Sequence, residues 1–326
     1  MNKILGILAL LFVSSGLFAQ FSNFNTQKNW SMNKKEFVFG GGSTQFLGDL
    51  GGQAGIGKDY SLADIDWKST SYNFTIAFRY RFHPNFATTS SLNFGVYKAS
   101  DFLTENAARN GRQINIKSTL FSFSQRYEYI VYANEKVGKR NNIPGLKGMK
   151  DKNTQVYIYT GAGLALFDPR AGANGATSFS VYNQTEGIRL RPLSTEGQGK
   201  PGGFGDTYRG VTAIVPFGIG YRMGMGRMWR VAVEATYFKT FTDYMDDVST
   251  EYYNYVANDV TASPEAIFFS NPAEKGPWQK VINGDKRGDK QKDAFFYLNL
   301  TFAKNVTYKS YDRGRQIKWK GVRAKF

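Results

Sequence analysis

From Tyr72 to Phe82 the chain alternates without a break: Tyr72, Phe74, Ile76, Phe78, Tyr80 and Phe82 against Asn73, Thr75, Ala77, Arg79 and Arg81. A period of two builds a β-strand with one apolar and one polar, partly charged face. Phe121, Phe123, Tyr127, Tyr129 and Val131 likewise oppose Ser122, Ser124, Arg126 and Glu128, and Trp229, Val231, Val233, Ala235 and Tyr237 oppose Arg230, Ala232, Glu234 and Thr236. Weaker alternation at 36–42, 86–97, 155–167, 211–222 and 294–302 brings the expected strands to about eight, joined by Gly-, Asn- and Pro-rich connections. No helical period is sustained past the amino terminus.

Volume decides which face looks outward. A closed barrel of about eight strands has an interior just wide enough to be filled by side chains. The Phe, Tyr, Trp, Val and Ile of eight strands exceed that space, whereas the small and charged set fits it. Arg79, Arg81, Arg126 and Arg230 are therefore expected inside, paired with Glu128 and Glu234 as a lumen charge network. The aromatic set then faces lipid, because a closed barrel satisfies its backbone internally and so can span a bilayer. The competing reading is a soluble barrel or sandwich with the apolar face inward. Mean hydropathy is −0.42, and no apolar run past residue 20 is long enough for a membrane helix. Aromatic residues nonetheless make up 16% of the chain, as interfacial girdles require.

The fold class expected is thus all-β, an eight-stranded antiparallel transmembrane β-barrel with short inner turns, long outer loops and a basic tail. Residues 1–20 read as an export signal, with Lys3, an apolar run from Ile4 to Val13 and Ala19 near the cut. Residues 21–34 form an amino-terminal periplasmic segment, 35–302 the barrel, and 303–326 a basic periplasmic tail. The location expected is the cell outer membrane, with both termini in the periplasm, as an even strand number requires. The inner links are then 83–85, 133–153 and 222–228, and the outer loops 43–71, 98–119, 168–210 and 241–293. The chain contains no cysteine, which excludes disulfides and a lipid-anchored amino terminus.

Charge is distributed as unevenly as hydropathy. The formal net charge is +16, or +15 without the signal and its Lys3. The tail carries eight basic residues against Asp312, and the 133–153 link six against Glu135 and Asp151. With Lys28, Lys34, Lys35, Arg222 and Arg227, the expected periplasmic side reaches +16 and everything else nets −1. Such a field attracts an acidic partner and speeds encounter. The plainer alternative is that basic residues hold their side during assembly or keep the tail soluble. The residues that would dock a partner are Lys309, Arg313, Arg315, Lys318, Trp319, Lys320 and Arg323 of the tail, and Lys136, Lys139 and Arg140 of the link. Tyr311, Trp319 and Phe326 are aromatic anchors among the cations. Nucleic acid suits the same pattern but not the compartment.

Candidate chemistry is sparse, and neither a cofactor nor a catalytic residue is expected. His83, the single histidine, sits beside Pro84 in the tightest inner turn, without a readable acid or serine partner. A His/Cys metal site lacks ligands. Asp243, Asp246, Asp247 and Glu251 gather where strand seven ends, but their spacing is not that of an EF-hand, so turn capping competes with calcium there. Gly40–Gly42 and Gly197–Gly205 lack the Lys-Ser/Thr of a phosphate loop and read as bends and hinges.

Five blocks resemble, in order, the PorG-like outer-membrane β-barrels of the Bacteroidetes type IX secretion system. They are Phe46–Gly51 (FLGDLG), Phe167–Ala171 (FDPRA), Pro192–Gly199 (PLSTEGQG), Ile214–Gly218 (IVPFG) and Lys239–Thr250 (KTFTDYMDDVST). The resemblance they mark extends over roughly residues 36 to 302. The resemblance implies a non-enzymatic scaffold of protein secretion and gliding motility. It also implies that the barrel docks a periplasmic ring built from the lipoprotein PorK/GldK and from PorN/GldN. Outer-membrane lipid and lipopolysaccharide are its other expected partners. The chain departs from compact members in its fourth outer loop, its 133–153 link and its tail. Two rivals stand beside this reading: an adhesin-like or purely structural surface barrel, and a lipid-modifying enzyme relying on His83.

Overall fold

The computed structural model describes residues 34–50, 67–101, 107–134, 154–171, 187–225, 229–259, 261–273, 284–288 and 290–306. Its strands are β1 (Lys35–Leu47), β2 (Ser71–His83), β3 (Phe86–Ser100), β4 (Asn115–Asn134), β5 (Thr154–Ala171), β6 (Val211–Gly224), β7 (Trp229–Thr240) and β8 (Ala294–Asn305). Each pairs antiparallel with the next, and β8 returns to β1 from Glu36↔Asn305 to Leu47↔Ala294, which closes the barrel. Closure removes every sheet edge, so no backbone ladder is left unpaired.

The alternation assigns the faces. On β2, Tyr72 is 64% and Phe78 44% exposed, whereas Arg79 and Arg81 are 0% exposed. Phe94, Phe121, Phe123, Ile158, Leu164, Phe217, Val233 and Leu300 are exposed in the same way around the barrel. From Tyr72 to Phe82 the outward apolar run is ten residue steps, about 33 Å along the strand. Tilted by about 45°, that is close to the ~25 Å apolar band of a membrane barrel.

The interior departs from a uniformly small and charged lining. Towards the ends distant from Lys35 and Asn305, Tyr97, Phe167, Phe238, Phe295 and Tyr297 point inward and pack with Phe46, Leu120 and Ile214. Met245 and Val248, from the connection after β7, insert into the same cluster. Lower down, Tyr157 and Tyr159 are also buried. Glycines make the room: a Cβ at Gly218 or Gly220 would lie 2.3 Å from the Tyr159 or Tyr157 ring. Burying this many apolar side chains seals the barrel end by the hydrophobic effect, in addition to the polar pairing below.

Several boundaries differ from the sequence reading. Strands β3, β4 and β5 run on to Ser100, from Asn115 and to Ala171, so parts of the expected outer loops are barrel wall. Strand β8 continues to Asn305, so a tail beginning at 303 would include its last three residues. Gly40–Gly42 forms no bend but lies within β1, where a Cβ on Gly42 would come 1.9 Å from the Leu298 carbonyl oxygen. Gly197, by contrast, has φ +71°, and a Cβ there would strike the Tyr253 ring.

Candidate functional site

Two buried polar clusters occupy the barrel, one in the lumen and one beneath the long connections.

The lumen cluster begins with Arg79, whose Nε donates to Glu128 at 2.6 Å and whose Nη1 donates to Glu36 at 3.0 Å. Arg126 donates to Glu234 at 3.0 Å, and the Tyr157 hydroxyl donates to the other oxygen of Glu234 at 2.6 Å. Arg230 lies 3.3 Å from Glu36. Arg81 points inward and donates to the Pro84 carbonyl, which ties the β2–β3 turn. Glu36, Tyr157 and Arg222 were missed in the sequence. Arg222 was counted with the third inner link, yet its side chain is 1% exposed at the centre of the lumen. It stacks on Tyr157 at 4.6 Å and stands 3.7–3.9 Å from Glu36, Glu128 and Glu234. Glu36 pairs in register with Arg79, so the neighbour relation exists only once β1 and β2 are aligned. Buried charges persist when paired, and Arg79, Arg126, Arg222 and Arg230 each lie within 4 Å of a glutamate, although Glu36 Oε1, Arg222 Nη1 and Arg230 Nη1 make no hydrogen bond.

The second cluster gathers the carboxylates of the connections. Glu196 accepts hydrogen bonds from the Ser249 and Thr250 amides at 2.9 and 3.1 Å, from the Thr250 hydroxyl at 2.7 Å, and from Arg287 at 3.2 Å. Arg287 also donates to Thr195, to the Asp247 carbonyl and to the Phe269 carbonyl. The Asp247 carboxylate takes Thr195 at 2.7 Å and Tyr208 at 2.5 Å. Arg112 donates to Asp101, to the Asp49 carbonyl and to the Arg287 carbonyl. Two guanidinium groups thus staple the connections after β1, β3, β5 and β7 into one cap. Four of the five sequence blocks supply its residues or its rim.

Burial controls the acids of the cap. It pushes Asp247 up to about 6, against the opposing pull of Arg287. Asp246 and Asp293 are raised well above the ordinary carboxylate value, first by burial and then by neighbouring acids: Asp49 and Asp243 for Asp246, and Asp246 and Asp243 for Asp293. Asp246 accepts from the Asp49 and Val248 amides, and Asp293 from the Met245 amide. Asp243, Asp246 and Asp247 therefore act as turn caps and staples. Among the described residues no group of acids and histidine has the arrangement of a metal site. His83 takes a hydrogen bond from the Asn85 amide and lies against Phe86, as a turn residue does.

The docking residues expected in the tail and in the 133–153 link (Lys309, Arg313, Arg315, Lys318, Trp319, Lys320, Arg323, Lys136, Lys139 and Arg140) lie outside the described residues.

A closed eight-stranded wall with an apolar outer belt and a filled, charge-paired lumen defines the class: a transmembrane β-barrel of the outer-membrane kind. No family profile matches the chain, and no curated protein matches it. Among solved structures it is similar to Ail, the attachment invasion locus protein of Yersinia pestis, at 9% identity over 83% of this chain and 97% of that one, with a TM-score of 0.31. It is similar also to Neisserial surface protein A, at 9% identity over 83% and 97% of the two chains, with a TM-score of 0.33. The barrel assignment rests on the strand register itself.

Proposed function

We propose that this barrel is an outer-membrane anchor of the type IX protein secretion and gliding machinery, with its termini in the periplasm. On this reading its basic periplasmic face docks the ring of PorK/GldK and PorN/GldN. The single observation that supports the reading is the ordered set of five sequence blocks that resemble those of PorG-like barrels. Four of the five contribute to one stapled cap, which gives those four a common structural reason. The charge distribution is compatible: with Arg222 assigned to the lumen, the end that bears the termini retains +15 of formal charge. A filled lumen suits an anchor rather than a conduit, since eight strands leave no aqueous channel.

The test is removal of residues 307–326, which spares all of β8, followed by co-purification of the ring lipoprotein from outer membranes. Loss of capture together with reduced secretion is expected. Unchanged capture and unchanged secretion would favour the adhesin-like or structural barrel instead. A change in lipid A on His83→Ala would favour the enzyme.

A further inference from the structure

The lipid-facing wall carries a polar break. Strand β4 turns Phe121, Phe123, Gln125, Tyr127 and Val131 outward, so an amide stands where the alternation calls for an apolar side chain. Gln125 is paired in register with Ser90 on β3, and Thr88 is the next outward residue of that strand. All three are half-buried. Phe121 and Val131, the ends of the outward run, are 43% and 55% exposed. Gln125 lies four residues from the first and six from the second, about 13 and 20 Å along the strand. At a barrel tilt of about 45° those are about 9 and 14 Å along the membrane normal. The amide therefore sits within the ~25 Å apolar band, where acyl chains offer neither donor nor acceptor.

The wall itself meets half of what the amide needs. The Ser90 hydroxyl donates to Gln125 Oε1 at 2.5 Å, and Gln125 Nε2 donates to the Thr88 hydroxyl. The Thr88 hydroxyl donates in turn to the Arg126 carbonyl at 3.2 Å. A side-chain amide has two N–H donors and an oxygen with two lone pairs. One N–H and one lone pair of Gln125 thus have no partner among the described residues. Ser90 holds the oxygen and Thr88 holds the nitrogen, so the plane of the amide is fixed before anything docks on it.

The group that fits a donor beside an acceptor is the same pair reversed. A lipid tail supplies neither, whereas a second copy related by a two-fold axis supplies both. An isologous contact sets each residue on the axis against itself. We propose that two copies of this chain pair side by side in the membrane through the β3–β4 wall, their Gln125 amides exchanging two N–H···O hydrogen bonds on the two-fold axis. Hydrogen bonds between polar side chains join membrane segments in this way. Phe123 and Tyr127, 46% and 61% exposed on either side of Gln125, pack on the second copy and shield the amides from lipid. The proposal needs the barrel to span a bilayer and goes beyond the anchor reading, which concerns the end that bears the termini.

The chain contains no cysteine, so a single introduced one reports on its own position. Thr119 lies on β4, loopward of Gln125, and Leu300 on β8, at the opposite side of the closed barrel. The full chain carrying Thr119→Cys or Leu300→Cys is nitroxide-labelled in detergent and reconstituted at high dilution into phospholipid vesicles. Double electron–electron resonance then reads distances between copies. Thr119→Cys should give a narrow distance, shorter than the one from Leu300→Cys. Adding Gln125→Leu should weaken pairing about tenfold, the loss of two hydrogen bonds within a membrane. The heat-dependent gel shift of a folded barrel should survive that change, because leucine suits the lipid face. Absence of any signal between copies, a shorter distance from Leu300→Cys, or pairing unaltered by Gln125→Leu would each overturn the proposal. Ring capture is measured separately, so failure here leaves the docking reading standing and the converse also holds.

Discussion

Arg79 and Glu128, two strands apart on the inner wall, meet at 2.6 Å with both side chains fully shielded from water. Arg79 also holds Glu36 of the neighbouring strand, so a single guanidinium links β1, β2 and β4. Breaking a buried pair by removing one partner commonly costs about 3–5 kcal/mol, because the other charge stays desolvated. Glu128→Ala should lower the urea midpoint of the refolded barrel accordingly. A midpoint equal to wild type would remove the pair from the account of stability.

The outer belt makes a prediction of opposite chemistry. Phe78→Arg and Val233→Arg place a charge on the lipid face near mid-height and should each cost about 2–4 kcal/mol. Folding into lipid vesicles, followed by gel mobility, reads the effect. Normal insertion of both variants would contradict the assignment of the two faces.

The Arg287 side chain ties the connection after β5 to the one after β7, so its loss should act locally. Arg287→Ala leaves Glu196 and Asp247 buried without their cation, which exposes the cap rather than the wall. Limited proteolysis should cut near residues 187–210 and 241–259 faster, while the barrel keeps its folded gel mobility. Protection equal to wild type would show that the cap does not depend on this staple.

Acidity should stabilise the cap. Asp247 titrates near pH 4 when unfolded and at about 6 when folded, so the folded state binds the proton more tightly. Its contribution is fully present below pH 4 and declines as pH rises to 6, by about 3 kcal/mol. Asp246 and Asp293 are shifted in the same direction. Asp247→Asn should flatten the fall in loop protection between pH 4 and 6. An unaltered profile would assign that dependence to the other two acids.

Charge in the tail should act over distance. Neutralising Lys318, Lys320 and Arg323 is expected to weaken ring association more at low salt than at high, because exposed charges are screened within about 8 Å at physiological ionic strength. Salt-independent weakening would point instead to Tyr311, Trp319 and Phe326.

The barrel was legible because a period of two is a local property. Tyr72–Phe82 declares its faces by composition alone, and the volume of an eight-stranded lumen turns that pattern into sidedness. Arg126 and Glu234 could likewise be assigned inward from their own strands. Their contact, from β4 to β7, could not, because it depends on curvature and register that no strand specifies alone. Arg222 shows the same limit from the other side: it stands two residues from the end of β6 and was indistinguishable from a solvated turn cation.

The amino-acid order by itself determined the wall: which residues meet lipid, how many strands close, and that the interior must hold charge. Only the tertiary structure decided what stoppers that wall, since Glu196, Asp247 and Arg287 become neighbours through loops with no repeating pattern. Periodicity encodes a surface because each residue's direction follows from its neighbours; a hydrogen-bonded cap is encoded only by the closure of distant segments on one another.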